Sequence, residues 1–178
     1  MLDTSQTVGG AGVVNISSRH PVGVAGLISP WNLPLYLLTF KIAPAIMTGN
    51  TVVCKPSEMT SVTAWMLCGL MREAGLPPGV VNMVFGFGRT VGESIVTHPK
   101  VITQVLTRFT DPTLKVRMVS FTGSTLIGQR IAQLTATSMK KVSLELGGKN
   151  AAVIFSDADL PSAVAGVTRW NKQIEFSI

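Results

Sequence analysis

Charge is scarce in this chain. Only 13% of its 178 residues are charged, against 46% hydrophobic. That excludes a disordered chain and implies a buried, strand-rich α/β composition with enough length for one real core. Cysteine is nearly absent. Cys54 and Cys68 stand in apolar surroundings without metal-ligand spacing, so no metal site is expected and a reducing, cytoplasmic compartment is. Aromatics make up 6%, and no basic run is interleaved with them. The net charge of +6 is scattered, with small groups at Arg108, Lys115 and Arg117 and at Lys140 and Lys141, which argues against nucleic-acid binding. No basic residue precedes Arg19, so no secretory leader is expected. Pro21 to Phe40 carries no charge, but Pro30, Asn32 and Pro34 interrupt it, so no membrane span is expected. Internal repeats, heptads and low-complexity tracts are missing too.

What is present is alternation of strand and helix. Residues 1–12 are polar and glycine-rich and read as loose, and Val13 to His20 as extended. Short apolar runs at Val22–Ile28, Thr51–Lys55, Val80–Phe85, Val119–Phe121, Lys141–Leu146 and Ala151–Phe155 read as strands. Helical spacing covers Leu35–Met47, with Pro44 a kink or an end, then Thr60 or Ser61 to Ala74, a short piece up to His98, and Thr125–Ala136. Asp157-Ala-Asp159 reads as a further helix start. The pattern predicts an α/β fold, a Rossmann-like parallel sheet with helices on both faces. The alternation itself sets apart only an extended segment over 1–20.

In such a sheet ligands bind beyond the carboxyl ends of the strands. Four groups lie at such ends. After Val119–Phe121, the turn at Thr122, Gly123 and Ser124 runs straight into a helix, whose first N–H groups and positive dipole end suit a diphosphate. The pattern G-S-T-x-x-G is neither the dinucleotide G-x-G-x-x-G nor a Walker A loop, and by itself it also fits a plain strand–turn–helix corner. Asn32, in Ser29-Pro-Trp-Asn32, reads equally as a turn residue. Lys55 and Glu58, in Lys55-Pro-Ser-Glu58, read alone as a solvated ion pair. Glu145 stands between two leucines, and a carboxylate on a buried strand costs free energy unless it is paired or used. Gly147 and Gly148 behind it suggest close backbone approach.

Taken together these residues resemble the aldehyde dehydrogenase superfamily. The resemblance rests on P-W-N-x-P at Pro30–Pro34, K-P-S-E at Lys55–Glu58, F-T-G-S-T-x-x-G at Phe121–Gly128 and L-E-L-G-G-K at Leu144–Lys149, with A-G-x-P-P-G-V-x-N at Ala74–Asn82. It covers Val13 to Leu160, and the run Pro21–Thr39 points to one branch within the family. The resemblance implies NAD-dependent oxidation of a small-molecule aldehyde to a carboxylic acid, by a protein that is usually a homo-oligomer. A division into a nucleotide-binding domain over 21–148 and the opening of a further domain over 149–178 is likewise what the resemblance carried by the motifs implies. It implies that Ile28, Ser29, Pro30 and Trp31 line the cofactor. Lys55, Ser57 and Glu58 would form the adenosine-ribose end, Glu58 favouring NAD over NADP. Gly86, with Phe87, would fall in the adenine-side turn. Phe121, Gly123, Ser124, Thr125, Leu126, Ile127 and Gly128 would face the diphosphate, and Leu146 and Gly147 the nicotinamide. Asn32 would stabilise the oxyanion, and Glu145 would be the general base.

Two departures stand out. The family's nucleophilic cysteine falls just past Ile178, and Cys54 and Cys68 read as inert core thiols. The chain is therefore expected to be a piece of the family's fold, inactive alone, with a non-catalytic NAD-binding or subunit-interaction role as the alternative. Further, family members pass from the histidine-proline pair to F-T-G-S over a short strand. Here the step from His98 to Phe121 is longer, which places an insertion within 99–118, near Val105–Lys115.

Overall fold

The structure, a computed structural model, describes residues 4–8, 13–98, 116–148 and 152–174. β1 (Thr4–Val8) and β2 (Val14–Ser18) pair antiparallel, with Thr4 opposite Ser18 and Val8 opposite Val14. The expectation of a loose start is corrected for Thr4–Val8. Every β2 residue is exposed. Backbone pairing between segments containing β-branched Thr4, Thr7, Val8, Val14 and Ile16 makes this ribbon, and a polar composition does not reveal a partner strand.

Five further strands form one parallel sheet: β3 (Val24–Ile28), β4 (Thr51–Lys55), β5 (Val81–Met83), β6 (Val116–Thr122) and β7 (Lys141–Glu145). Their order is β5-β4-β3-β6-β7. The chain starts at the centre, steps outward to β5, then crosses back to the far side of β3. The reversal between β3 and β6 is a topological switch point, where the connections after the two strands diverge and leave a crevice.

Side chains alternate across β3. Ala25 and Leu27 join Val52 and Cys54 under Leu38 and Ile42 of α1 (Pro34–Met47) and Ala64 of α2 (Ser61–Glu73). Ile28, Val119 and Phe121 face the other way, under Ile95 and Val96 of α3 (Glu93–Thr97) and Ile131 of α4 (Thr125–Ala136). Gly26 sits at the centre because nothing larger fits. A Cβ there would lie 2.6 Å from Ile95 Cγ2 and 3.1 Å from Val116 Cγ1.

Local sequence explains the element ends. Pro44 lies inside α1 and does not stop it; the helix closes where the Thr48 amide and hydroxyl both donate to the Pro44 carbonyl, and Gly49 follows at φ +79°. Thr60 holds the N-cap position of α2 without a side-chain cap. The capping oxygen belongs instead to Ser57, which accepts from the Met59 amide ahead of a 3₁₀ turn at Glu58–Thr60. Asp159 caps α5 (Leu160–Ile174) by accepting from the Ser162 amide at 3.0 Å.

Residues 152–155 are not a strand. Val153 and Phe155 are largely exposed, and an apolar run becomes a strand only where an edge pairs with it. The expected insertion near Val105–Lys115 lies outside the described residues. Of the stretch 99–118 only Val116–Met118 is described, and it belongs to β6, whose register to β3 slips beside Arg117.

Candidate functional site

Three strand ends meet at the switch point and enclose a cleft of about 640 Å³ with α4 and the Gly88–Gly92 turn that leads into α3. Ile28, Ser29, Pro30 and Trp31 enter it from β3, Lys55, Ser57 and Glu58 from β4, and Phe121, Gly123, Ser124 and Ile127 from β6 and α4. Eleven of the residues singled out in the sequence thus come together, although Ile28 and Ile127 are nearly 100 positions apart.

Four of the charged residues that line the cleft form two ion pairs. The Lys55 side chain is 3% exposed, and its ammonium donates to the Pro56 carbonyl at 2.7 Å and to Glu58 Oε2 at 3.4 Å. The solvated ion pair is therefore half right, since the lysine is buried and only Glu58 meets water. A hydrogen bond from its own backbone amide, and then the Lys55 charge, hold the Glu58 carboxyl below the usual range. Across the cleft Arg130 Nη2 donates to both Glu93 oxygens at 3.0 Å. The Ser29 hydroxyl is buried on the cleft wall with no partner among the described residues, and a buried polar atom of this kind calls for a partner.

The glycine turn ties the end of β6 to β7. The Gly123 amide donates to the Glu145 carbonyl at 3.0 Å, prolonging the sheet. Its missing side chain makes room for the Phe121 ring, whose Cζ lies 2.5 Å from where a Cβ would stand. Donors toward a ligand come instead from the first turn of α4, where intrahelical acceptors are lacking, behind Ser124 as N-cap.

Other expected residues stand beside the cleft. Gly128 packs under Leu146, whose Cδ2 lies 2.3 Å from a Cβ placed there, and a Cβ placed on Gly147 would lie 3.7 Å from Thr125 Oγ1. Leu146 and Gly147 therefore buttress the start of α4. Leu126 is largely exposed. Gly86, at φ +150°, makes room for Val91. Asn32 is half-buried between Trp31 and α1. Glu145 needs a correction: β7 is the edge strand and Glu145 is exposed, so the desolvation cost first ascribed to it does not arise.

The sequence reading missed Lys41. It is 7% exposed, and its ammonium donates to Ser120 Oγ at 2.7 Å on the α1 side of the sheet. Burial lowers its pKa, and the charge of Glu145 opposes that shift, so the two groups are electrostatically linked. The signal was available, because Lys41 is the single charged residue from Pro21 to Cys54. Cys54 is buried and its thiol is pushed up to about 12 by burial. No described group of three or more His, Cys, Asp or Glu could hold a metal, and no described helix is long and apolar enough to cross a membrane.

A family model described as "Aldehyde dehydrogenase family" matches residues 2–171. The chain belongs to the aldehyde dehydrogenase family. Among the family's curated members, 2-aminomuconic semialdehyde dehydrogenase of Homo sapiens is 57% identical over 158 residues, covering 89% of this chain and 29% of that protein. The 2-aminomuconic 6-semialdehyde dehydrogenase of a Pseudomonas species is 47% identical over 161 residues, 90% of this chain and 30% of that protein. These relatives bear out the branch to which Pro21–Thr39 pointed. The chain spans under a third of their length. Among solved structures, an aldehyde dehydrogenase from Bacillus cereus in complex with NAD⁺ superposes with a TM-score of 0.75 at 38% identity, covering 92% of this chain and 30% of that one. An NAD-dependent aldehyde dehydrogenase from Sinorhizobium meliloti gives 0.75 at 39%, covering 93% and 30%. The aldehyde dehydrogenase fold thus accounts for the switch-point cleft and the order of its motifs.

Proposed function

We propose that this chain is the NAD-binding part of an aldehyde dehydrogenase, and that the whole protein oxidises an aldehyde, with a semialdehyde as the favoured class, to its carboxylic acid. The observation that carries this reading is the meeting of a half-exposed carboxylate, a capped helix start and an unpartnered buried hydroxyl in one switch-point cleft. When bound, NAD supplies a hydride acceptor. The Glu58 carboxylate accepts from the adenosine ribose hydroxyls and repels a 2′-phosphate, with Lys55 fixing its position. The first turn of α4 holds the diphosphate and Ser29 supplies a hydroxyl to the same ligand. Asn32 donates its amide to the oxyanion, and Glu145 takes a proton from the nucleophile or the deacylating water. These last two roles rest on the family resemblance. Residues 21–148 form the cofactor unit in this reading, and 149 onward opens the catalytic domain. A cytoplasmic location and homo-oligomeric assembly of the whole protein belong to the same reading.

For the 178-residue chain by itself we propose cofactor binding without turnover, since its two thiols lie in β4 and α2 and burial raises the pKa of both. Calorimetric titration tests this. NAD should bind in preference to NADP, and Glu58→Gln should reduce that preference. Equal affinity for both cofactors in the unaltered chain, or a preference unchanged in Glu58→Gln, contradicts the assignment of Glu58.

A further inference from the structure

We propose that Ser120 is a positioning residue for the reaction: its buried hydroxyl holds the Lys41 ammonium on the same face of the sheet as Glu145 and short of a direct ion pair with it. The inference rests on the reading of Glu145 as the general base and extends it to a serine that the sequence motifs do not include.

The register of the sheet sets the geometry. β6 and β7 run parallel, with Ser120 opposite Ser143 and Thr122 opposite Glu145. Residues two apart on a strand share a face, and register partners on neighbouring strands do too. Ser120 and Glu145 therefore lie on one face, one strand and two residues apart. That face is the one α1 covers, because Lys41 of α1 donates from its ammonium to Ser120 Oγ at 2.7 Å. Val119 and Phe121, on either side of Ser120, pack toward α3 and α4 instead.

Ser120 is 9% exposed and Lys41 7%. A buried hydroxyl and a buried ammonium each cost free energy unless they are paired. Among the described residues each side chain is the other's only hydrogen-bond partner. Lys41 and Glu145 feel one another's charge, yet the ion pairs formed among the described residues are Lys55–Glu58 and Glu93–Arg130. The lysine stem is long and flexible. Without the hydroxyl nothing described retains the ammonium, and Glu145 is the opposite charge that acts on it. A cation in contact favours the charged form of a carboxylate and makes it a poorer proton acceptor. The hydroxyl thus keeps the cation near the base and off it.

The test is a mutant cycle in the 178-residue chain, read by urea unfolding at submicromolar concentration and neutral pH. In the unaltered chain Glu145→Gln should change the unfolding constant by less than about 1.5-fold, since its charges are not in contact. In Ser120→Ala the freed ammonium reaches the carboxylate. Glu145→Gln should then raise the unfolding constant by about twofold to fivefold, the range of an exposed ion pair. That effect should shrink in about 1 M salt and vanish when Lys41→Met is added. Ser120→Thr retains the hydroxyl and should behave as the unaltered chain. Ser120→Cys, close in size but a weak acceptor, should act like Ser120→Ala and takes its place if the alanine variant does not fold. An equal effect of Glu145→Gln with and without the Ser120 hydroxyl overturns the inference, and so does a Ser120→Thr chain that behaves like Ser120→Ala. Both outcomes leave the base reading standing, because no turnover is measured. Retained turnover of the whole protein in Glu145→Gln overturns that reading, and with it the role given to Ser120.

Discussion

At the scale of single residues, charge and burial together decide the chemistry. Cys54 is fully buried in β4 with its thiol raised to about 12, so almost none of it is thiolate at neutral pH. In the native chain Cys54 should resist iodoacetamide at pH 8 and react only on unfolding, while half-buried Cys68 reacts slowly; peptide mapping by mass spectrometry reads both. An aldehyde added with NAD should give no NADH from this chain, and turnover abolished by Glu145→Ala would contradict that. Lys41 carries a pH signature. Its folded pKa lies below the ordinary 10.5 because of burial. Between those two values the unfolded chain binds more protons than the folded one, so stability rises with pH across that window. Lys140, also buried, with its ammonium on the Ile95 and Val96 carbonyls and its pKa lowered by burial, adds to the same slope. The raised thiols of Cys54 and Cys68 act in the opposite sense as pH climbs through the thiol range, so the test is a difference: Lys41→Met should make the change in urea midpoint from neutral to alkaline pH less positive than in the unaltered chain. The same change in both chains would remove Lys41 from the account.

At the scale of elements, two glycines separate packing from propensity. Gly26 lies in the central strand with Ile95 and Val116 against it. Gly26→Ala forces those side chains to shift and should destabilise the chain by about 1–3 kcal/mol. Gly69 lies inside α2 with nothing within 4 Å of a Cβ placed there. Gly69→Ala should stabilise the chain by about 0.5–1 kcal/mol, because it removes freedom only from the unfolded state. Chemical denaturation of the two variants checks both signs. Helices and central strands were legible in the sequence because their apolar spacing is local. β2 was read as extended within Val13–His20, but β1 and its pairing with β2 were not legible, since the two strands gain stability from each other's backbone, and residues 152–155 misled because an apolar run does not carry its own pairing partner.

At the scale of the whole molecule, the outer faces of α1 and α2 stand out. Tyr36 and Phe40, whose rings stack 6.0 Å apart, are exposed, as are Trp65, Met66 and Leu70. Each Å² of apolar surface left in water costs about 25 cal/mol, so a few hundred Å² amount to several kcal/mol, comparable with a domain's net stability of about 5–15 kcal/mol. Surfaces of that kind draw chains together. The isolated chain should therefore self-associate at micromolar concentration and bind a hydrophobic dye, as read by light scattering and fluorescence. A monodisperse monomer with one sharp urea transition would contradict this.

The sequence by itself determined the family, the parallel α/β architecture and most of the cleft. Those properties reside in short motifs and in periodicities that each segment carries alone. Tertiary structure decided the rest. It left Glu145 exposed by making β7 an edge, joined the Gly123 amide to the Glu145 carbonyl, and buried Lys41 against Ser120. It also brought Glu93 to Arg130 across 37 positions of chain. Such facts depend on which strand lies beside which and on which helix covers which face, and that neighbourhood arises only when distant segments pack.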